Sequence, residues 1–190
     1  LVLDIIAAAN LDKRDHRFRI EHAQHLDPSD VQRFADLGAI ASIQTIHLSS
    51  DRHWAIDRLG EARIDAGAYI WRDLLSEGVH IANGTDVPVE PINPLANFYA
   101  AITRKTLKGT PEDGFEAHQK MTREEALKSM TVWNAFAAFE ENDAGSIEVG
   151  KRADLTILDS DIMTINESDI LSTNVAMTIV AGEVVYTAPK

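Results

Sequence analysis

Apolar positions along this chain switch repeatedly between helical and strand spacing. Residues 1–10 place Leu1, Ile5, Ile6 and Ala9 on one face, which predicts a helix ended by Asn10-Leu11-Asp12. Phe18-Arg19-Ile20-Glu21-His22 alternates as a strand does. Asp27 then suits an N-cap, with Pro28 at the first helical position and Asp30 at the third. Val31, Phe34, Ala35 and Leu37 supply the stripe of that helix, and Gly38 closes it. Residues 39–44 form the next strand. A long polar loop is expected over 45–64, a helix over 69–77 closed by Gly78, and a third strand over 79–82. Asn93-Pro94 opens a further helix that lasts to Leu107.

Strand and helix thus alternate three times. Short helices that return the chain to the same edge of a sheet imply parallel strands joined by βαβ crossovers. A polar loop bearing Gly and Pro follows over 107–120. Thr122-Arg123-Glu124-Glu125 then reads as a capping box, opening a helix to Met130 that carries on as an Ala/Phe-rich buried helix to Glu140. The texture changes at Asn142-Asp143-Ala144-Gly145. Beyond it, 155–158 and 175–180 read as strands, and Ala181-Gly182 is a two-residue turn into Val184-Val185-Tyr186. Two regions are therefore expected: an α/β part over 1–141 and a small β domain over 142–190.

Composition narrows the function. Of 190 residues, 45% are hydrophobic and 25% charged, which is globular and not disordered. Thirty acidic residues against eighteen basic ones leave a net charge of −12, which argues against a surface that tracks phosphates and hence against nucleic acid. The longest apolar runs are too short to cross a bilayer, and no basic segment precedes an apolar one as in a signal peptide. The expected setting is the cytoplasm, away from membranes. With no cysteine there is no disulfide framework and no thiolate site, so any metal must be held by the seven histidines and the carboxylates.

Three polar residues stand at matching places. His22, Gln44 and Asp86 each end a predicted parallel strand, the rim where barrels and open α/β sheets build their sites. Imidazole and carboxylate are the ligands of zinc and similar ions where cysteine is absent. One His and one Asp do not complete such a site, so further ligands are required. Each residue also has an ordinary structural role: His22 as a hydrogen-bonded core residue, Asp86 capping the Gly84-Thr85-Asp86 turn, Gln44 satisfying loop backbone, and His25 capping the following helix or facing solvent. His47 and His53, with Trp54, suit a substrate lid or a solvated excursion. His16, His80 and His118 have no partner at metal-site spacing. A phosphate-cradling loop, a G-x-S-x-G elbow and an H-E-x-x-H pair are all absent.

Four stretches together resemble a known family. They are Arg19-Ile20-Glu21-His22-Ala23-Gln24, Ile43-Gln44, Arg58-Leu59-Gly60, and Gly84-Thr85-Asp86-Val87-Pro88-Val89 with Asn93-Pro94. In order and spacing they look like the amidohydrolase superfamily, in its YtcJ-like, N-substituted formamide deformylase-like branch. Thr122 to Ala126 and Gly145-Ser146-Ile147-Glu148-Val149-Gly150-Lys151-Arg152-Ala153-Asp154-Leu155 resemble that family's C-terminal stretch.

The resemblance implies a metal-dependent hydrolase on a (β/α)8 barrel joined to a small β-sandwich domain. It makes His22 the metal-binding histidine ending strand six. Asp86 becomes the metal ligand and proton shuttle ending strand eight, while Gln44 and His47 face the substrate near strand seven. The family's His-x-His of strand one, its carboxylate or modified lysine of strand four and its histidine of strand five have no counterpart here and would precede Leu1. The chain is thus expected to be the C-terminal part of such an enzyme, since three βα units cannot close a barrel of ~250 residues.

The implied reaction is hydrolysis of a non-peptide, amide-type C–N bond in a small molecule. One or two divalent ions, expected to be zinc, activate a water, and Asp86 moves its proton. Two alternatives stay open: a non-catalytic fragment or interaction module whose strand edges invite homo-oligomers, and a metal-dependent phosphoesterase on the same fold.

Overall fold

The computed structural model describes residues 1–9 and 15–189. It begins with helix α1 (Val2–Ala8), whose expected end at Asn10-Leu11-Asp12 lies outside the described residues. Strand β1 (Arg19–Glu21) follows, then a 3-10 turn (Pro28–Asp30) leading into α2 (Val31–Asp36). Asp27 caps that turn as its side chain accepts the Ser29 N–H at 2.9 Å. The chain continues through β2 (Ile40–Ile43), α3 (His47–Leu59), α4 (Glu61–Gly67), α5 (Trp71–Ser76) and β3 (Ile81–Asn83). Three helices come next, α6 (Pro94–Thr103), α7 (Arg123–Met130) and α8 (Val132–Ala137). The last strands are β4 (Leu155–Leu158), β5 (Val175–Val180) and β6 (Glu183–Thr187).

Strands β1, β2 and β3 form a parallel sheet in that order, with Ile20 opposite Ala41 and Ser42 opposite Ala82. The crossovers are helical, as parallel neighbours require. A second sheet, β4-β5-β6, is antiparallel throughout. Phe34, Ile43, Leu48, Ile64, Tyr69, Trp71, Leu74, Ile81 and Phe98 pack in one core with the parallel sheet, and Ile162 and Ile170 join it from the segment between β4 and β5. Helix α6 is buried over its whole circumference from Leu95 to Thr103, which explains its apolar composition. No helix among the described residues is long and apolar enough to cross a membrane.

The expected loop over 45–64 is instead helical, forming α3 and most of α4. The signal was hidden because the buried face of α3 consists of His47, Leu48, Arg52 and Ala55, two of them polar. A stripe that is half charged or aromatic-polar gives no hydrophobic period to read. The helix expected to run on from α7 is also broken, at Thr131. There the β-branched residue's hydroxyl donates back to the Leu127 carbonyl at 2.8 Å, and α8 turns to bring Asn134 to the end of β3.

Candidate metal centre

Each strand of the parallel sheet delivers a polar side chain at its carboxyl end. His22 follows β1 directly, at φ +68°, and Asp86 lies three residues beyond β3, at φ +58°. Non-glycine residues hold this left-handed region at a cost of roughly 1–2 kcal/mol each, so the surrounding structure must compensate. The segment leading from β3 to Asp86 is tied down. Asn83, at the end of β3, is locked by a reciprocal pair in which its N–H donates to Asn134 Oδ1 at 3.1 Å and its carbonyl accepts from Asn134 Nδ2 at 3.0 Å. The Gly84 N–H donates to the Ile43 carbonyl at 3.0 Å.

His47 is placed differently, at the first turn of α3. The backbone entering that helix needs acceptors for N–H groups with no partner inside the helix. Buried amides provide them: Asn83 Oδ1 accepts the Thr45 N–H at 3.2 Å and Asn97 Oδ1 accepts the Ile46 N–H at 2.9 Å. Asn97 was legible in principle, because a lone amide on a mostly apolar helix must find a hydrogen-bond partner. Its partner was not.

Further along α3, Arg52 donates to Glu116 Oε1 at 2.8 Å, while Arg104, just past α6, donates to Glu116 Oε2 at 3.1 Å and to the Tyr69 carbonyl at 2.8 Å. Arg104 is fully buried against the Trp71 ring, 4.6 Å from its centroid, and that burial pulls its pKa down to about 10 despite Glu116. The buried pair of guanidiniums on one carboxylate thus ties α3 to the C-terminal end of α6.

These elements bring His22, His47 and Asp86 together, each with a ligand-type atom, all within 4.8 Å of one another. His22 Nδ1 and His47 Nε2 both lie 3.9 Å from the same oxygen, Oδ2 of Asp86. The two rings are near parallel at 24°, with centroids 5.9 Å apart. At 3.9 Å neither nitrogen is hydrogen-bonded to the carboxylate. His47 Nε2 is buried and without any hydrogen-bond partner, an arrangement that costs free energy unless something occupies the position it faces. Donor atoms each ~2.1 Å from one divalent ion lie at most ~4 Å apart; the two imidazole-to-carboxylate separations of 3.9 Å meet that span, and the donor types are those such an ion takes. His22 is exposed and Asp86 half-buried, so the cluster opens outward on one side.

The other expected residues are accounted for as follows. Gln44 Oε1 lies 2.9 Å from His22 Nδ1, where it would accept the ring proton, so a cation held by this nitrogen would take the place of that hydrogen bond. His25 lies outside the cluster, bridging to Ala68 and edge-on to Tyr69, with burial pushing its pKa down. His53 and Trp54 occupy the exposed side of α3. Gln24 carries no role in the sequence reading, yet it is the neighbour of the buried histidine: its Oε1 is 3.3 Å from His47 Nδ1. Only the position of Gln24 two residues after His22 could have drawn attention to it.

A parallel α/β sheet with two imidazoles and a carboxylate gathered at its carboxyl edge has its candidate metal site where α/β proteins bind their ligands. The chain belongs to the amidohydrolase family, whose sequence model matches residues 1–186. It is 36% identical over 189 residues to Protein LONG AFTER FAR-RED 3 of Arabidopsis thaliana, covering 98% of this chain and 32% of that one. The putative amidohydrolase YtcJ of Bacillus subtilis is 31% identical, with 92% and 33% covered. The N-substituted formamide deformylase of Arthrobacter pascens is 29% identical, with 98% and 34% covered. The chain therefore spans about a third of the length of these relatives.

Among solved structures, an uncharacterized metal-dependent hydrolase from Pyrococcus horikoshii superposes with a TM-score of 0.73 at 28% identity, covering 87% of this chain and 32% of that one. Atrazine chlorohydrolase from Arthrobacter aurescens, complexed with zinc, has a TM-score of 0.63 at 19% identity, covering 95% of this chain and 39% of that one; at that identity the likeness is one of fold.

Proposed function

We propose that this chain supplies the last three strands, six to eight, of a (β/α)8 amidohydrolase barrel over residues 1–141. In this reading residues 142–190 form part of the accompanying β-sandwich, and the complete protein hydrolyses a non-peptide C–N bond. The observation that carries the proposal is the convergence of His22, His47 and Asp86 with the buried His47 Nε2 left unpartnered. His22 and Asp86 are the expected ligands, and His47, expected at the substrate pocket, joins them as a third donor through that nitrogen. Zinc suits two imidazoles and a carboxylate. When bound, the ion supplies Lewis acidity toward the substrate carbonyl and toward a water.

The chain's own groups then divide the work. The Asp86 carboxylate accepts the proton of the attacking water and returns it to the leaving nitrogen. Gln44 borders His22 and faces the substrate side. The remaining barrel strands, which close the site and add ligands, are not among these three. An N-substituted amide is the favoured substrate, supported by the likeness to the formamide deformylase.

The test is Zn2+ titration by calorimetry, followed by turnover of an amide panel in a polypeptide whose barrel is closed around these strands. Stoichiometric Zn2+ uptake, abolished by His22→Ala, is expected. Asp86→Asn in the closed barrel should lower turnover 10²- to 10⁴-fold, the usual worth of a general acid–base group. Uptake of no metal, or uptake indifferent to His22→Ala, would leave a non-catalytic module whose strand edges associate with other copies.

A further inference from the structure

The buried nitrogen of His47 raises the question of what decides which of its two ring atoms faces the cluster. Imidazole has two neutral tautomers, and the one present follows from the hydrogen bond made by the nitrogen that does not face the site. Here that nitrogen is Nδ1, and its neighbour is Oε1 of Gln24 at 3.3 Å. A glutamine amide could equally turn its NH2 toward the ring, so the remaining contacts of Gln24 must settle its orientation.

They do. The Gln24 Nε2 end lies 2.9 Å from the Tyr69 hydroxyl, 3.3 Å from Asp51 Oδ2 and 3.5 Å from His25 Nε2. A carboxylate accepts and does not donate, so the end facing Asp51 must be the NH2. Turning the amide over would put its oxygen against Asp51 and its NH2 against His47. Asp51 is itself steadied by the Ser50 hydroxyl at 3.2 Å, and it sits one turn along α3 from His47. Tyr69 is buried beside the same carboxylate, and burial holds its phenol well above the ordinary range, keeping it a neutral partner. With the NH2 committed to Asp51 and Tyr69, the amide oxygen accepts from His47, and Nδ1 must carry the ring proton.

We propose that Gln24 is the positioning residue of this site: anchored by Asp51 and Tyr69, it fixes the Nδ1–H tautomer of His47 and so leaves the Nε2 lone pair facing Asp86 and a cation. Gln24 touches neither the cation nor the substrate; it acts through His47. Its contribution is to remove the alternative tautomer, which would aim a proton at the position where an electron pair is needed. The assignment of His47 as a ligand rests on the function proposed above, whereas the tautomer is a property of the metal-free chain.

The test is long-range ¹H–¹⁵N NMR of the histidine rings in the metal-free 190-residue chain, in alkaline buffer. His47 Nε2 should show the shift of an unprotonated ring nitrogen. In Gln24→Leu the two tautomers should mix, and Zn2+ titrated alone should bind about 10- to 100-fold more weakly, the usual cost of removing a residue that orients a ligand. The pair Gln24→Glu with Asp51→Asn keeps an acceptor on His47 and a donor opposite it, so it should restore both the tautomer and the affinity to within a few-fold. A proton on Nε2 in the unaltered chain, or an unchanged tautomer in Gln24→Leu, overturns the proposal. A chain that shows the tautomer but takes up no Zn2+ upholds the role of Gln24 and overturns the metal reading instead.

Discussion

At the scale of single residues, the clearest link from sequence to energy is the capping box at α7. Thr122 and Glu125 were readable as such from their spacing, and both reciprocal bonds form. What spacing could not supply is Arg72, from α5, which grips both oxygens of Glu125 at 2.7 and 2.6 Å. That contact first, and the Thr122 bonds after it, hold the Glu125 carboxyl down at about 2 from an ordinary 4.5. The folded-state value lies below the unfolded one, so the stabilisation is complete above pH 4.5 and drains away as the pH falls toward 2. Glu125→Gln can keep the cap while removing the charge. Acid unfolding followed by circular dichroism should therefore show a shallower loss of stability across that interval, and an unchanged slope would contradict the account. Glu141, held equally low by Arg17, leaves a residual slope in the variant.

At the scale of elements, α3 is what brings His47 to the cluster with His22 and Asp86. Its helical character escaped the sequence reading since polar residues occupy half of its buried face. Arg52 is on that face because Glu116 and Arg104 meet it there. Such a cluster adds little over an apolar equivalent, yet breaking it is expensive, as the uncompensated charges stay buried. Glu116→Ala would strand two guanidiniums and should cost about 3–5 kcal/mol, read as a fall in the urea midpoint. Removal of the cluster as a whole, by Glu116→Leu with Arg52→Met and Arg104→Met, should cost less than the single change. Equal or greater loss in the triple variant would show that the charges themselves stabilise α3.

At the scale of the molecule, two three-stranded sheets leave edges open among the described residues. β1 pairs only with β2, and β6 only with β5, with Val184, Val185 and Tyr186 exposed. Such edges template association, while a net charge of −12 opposes it. Sedimentation at several protein concentrations should therefore show association that strengthens with added salt and as the pH approaches 4.9, where the net charge vanishes. A sedimentation profile indifferent to salt and pH would mean that the edges are not the contacts used.

What the amino-acid order determined by itself was local. Period-two and period-3.6 patterns, Asp27 and Asn93 at helix starts and Gly78 at a helix end each act within a few residues, so helix and strand could be placed and the parallel order inferred. His22 and Asp86 were legible because strand ends are sequence features. Only the tertiary structure decided that His47 lies beside them, that Gln24 reaches His47, that Asn97 and Arg104 are buried for a reason, and that residues 45–64 are largely helical. Each of these depends on a polar group's partner dozens of positions away, and a buried hydrogen bond or ion pair leaves no period along the chain.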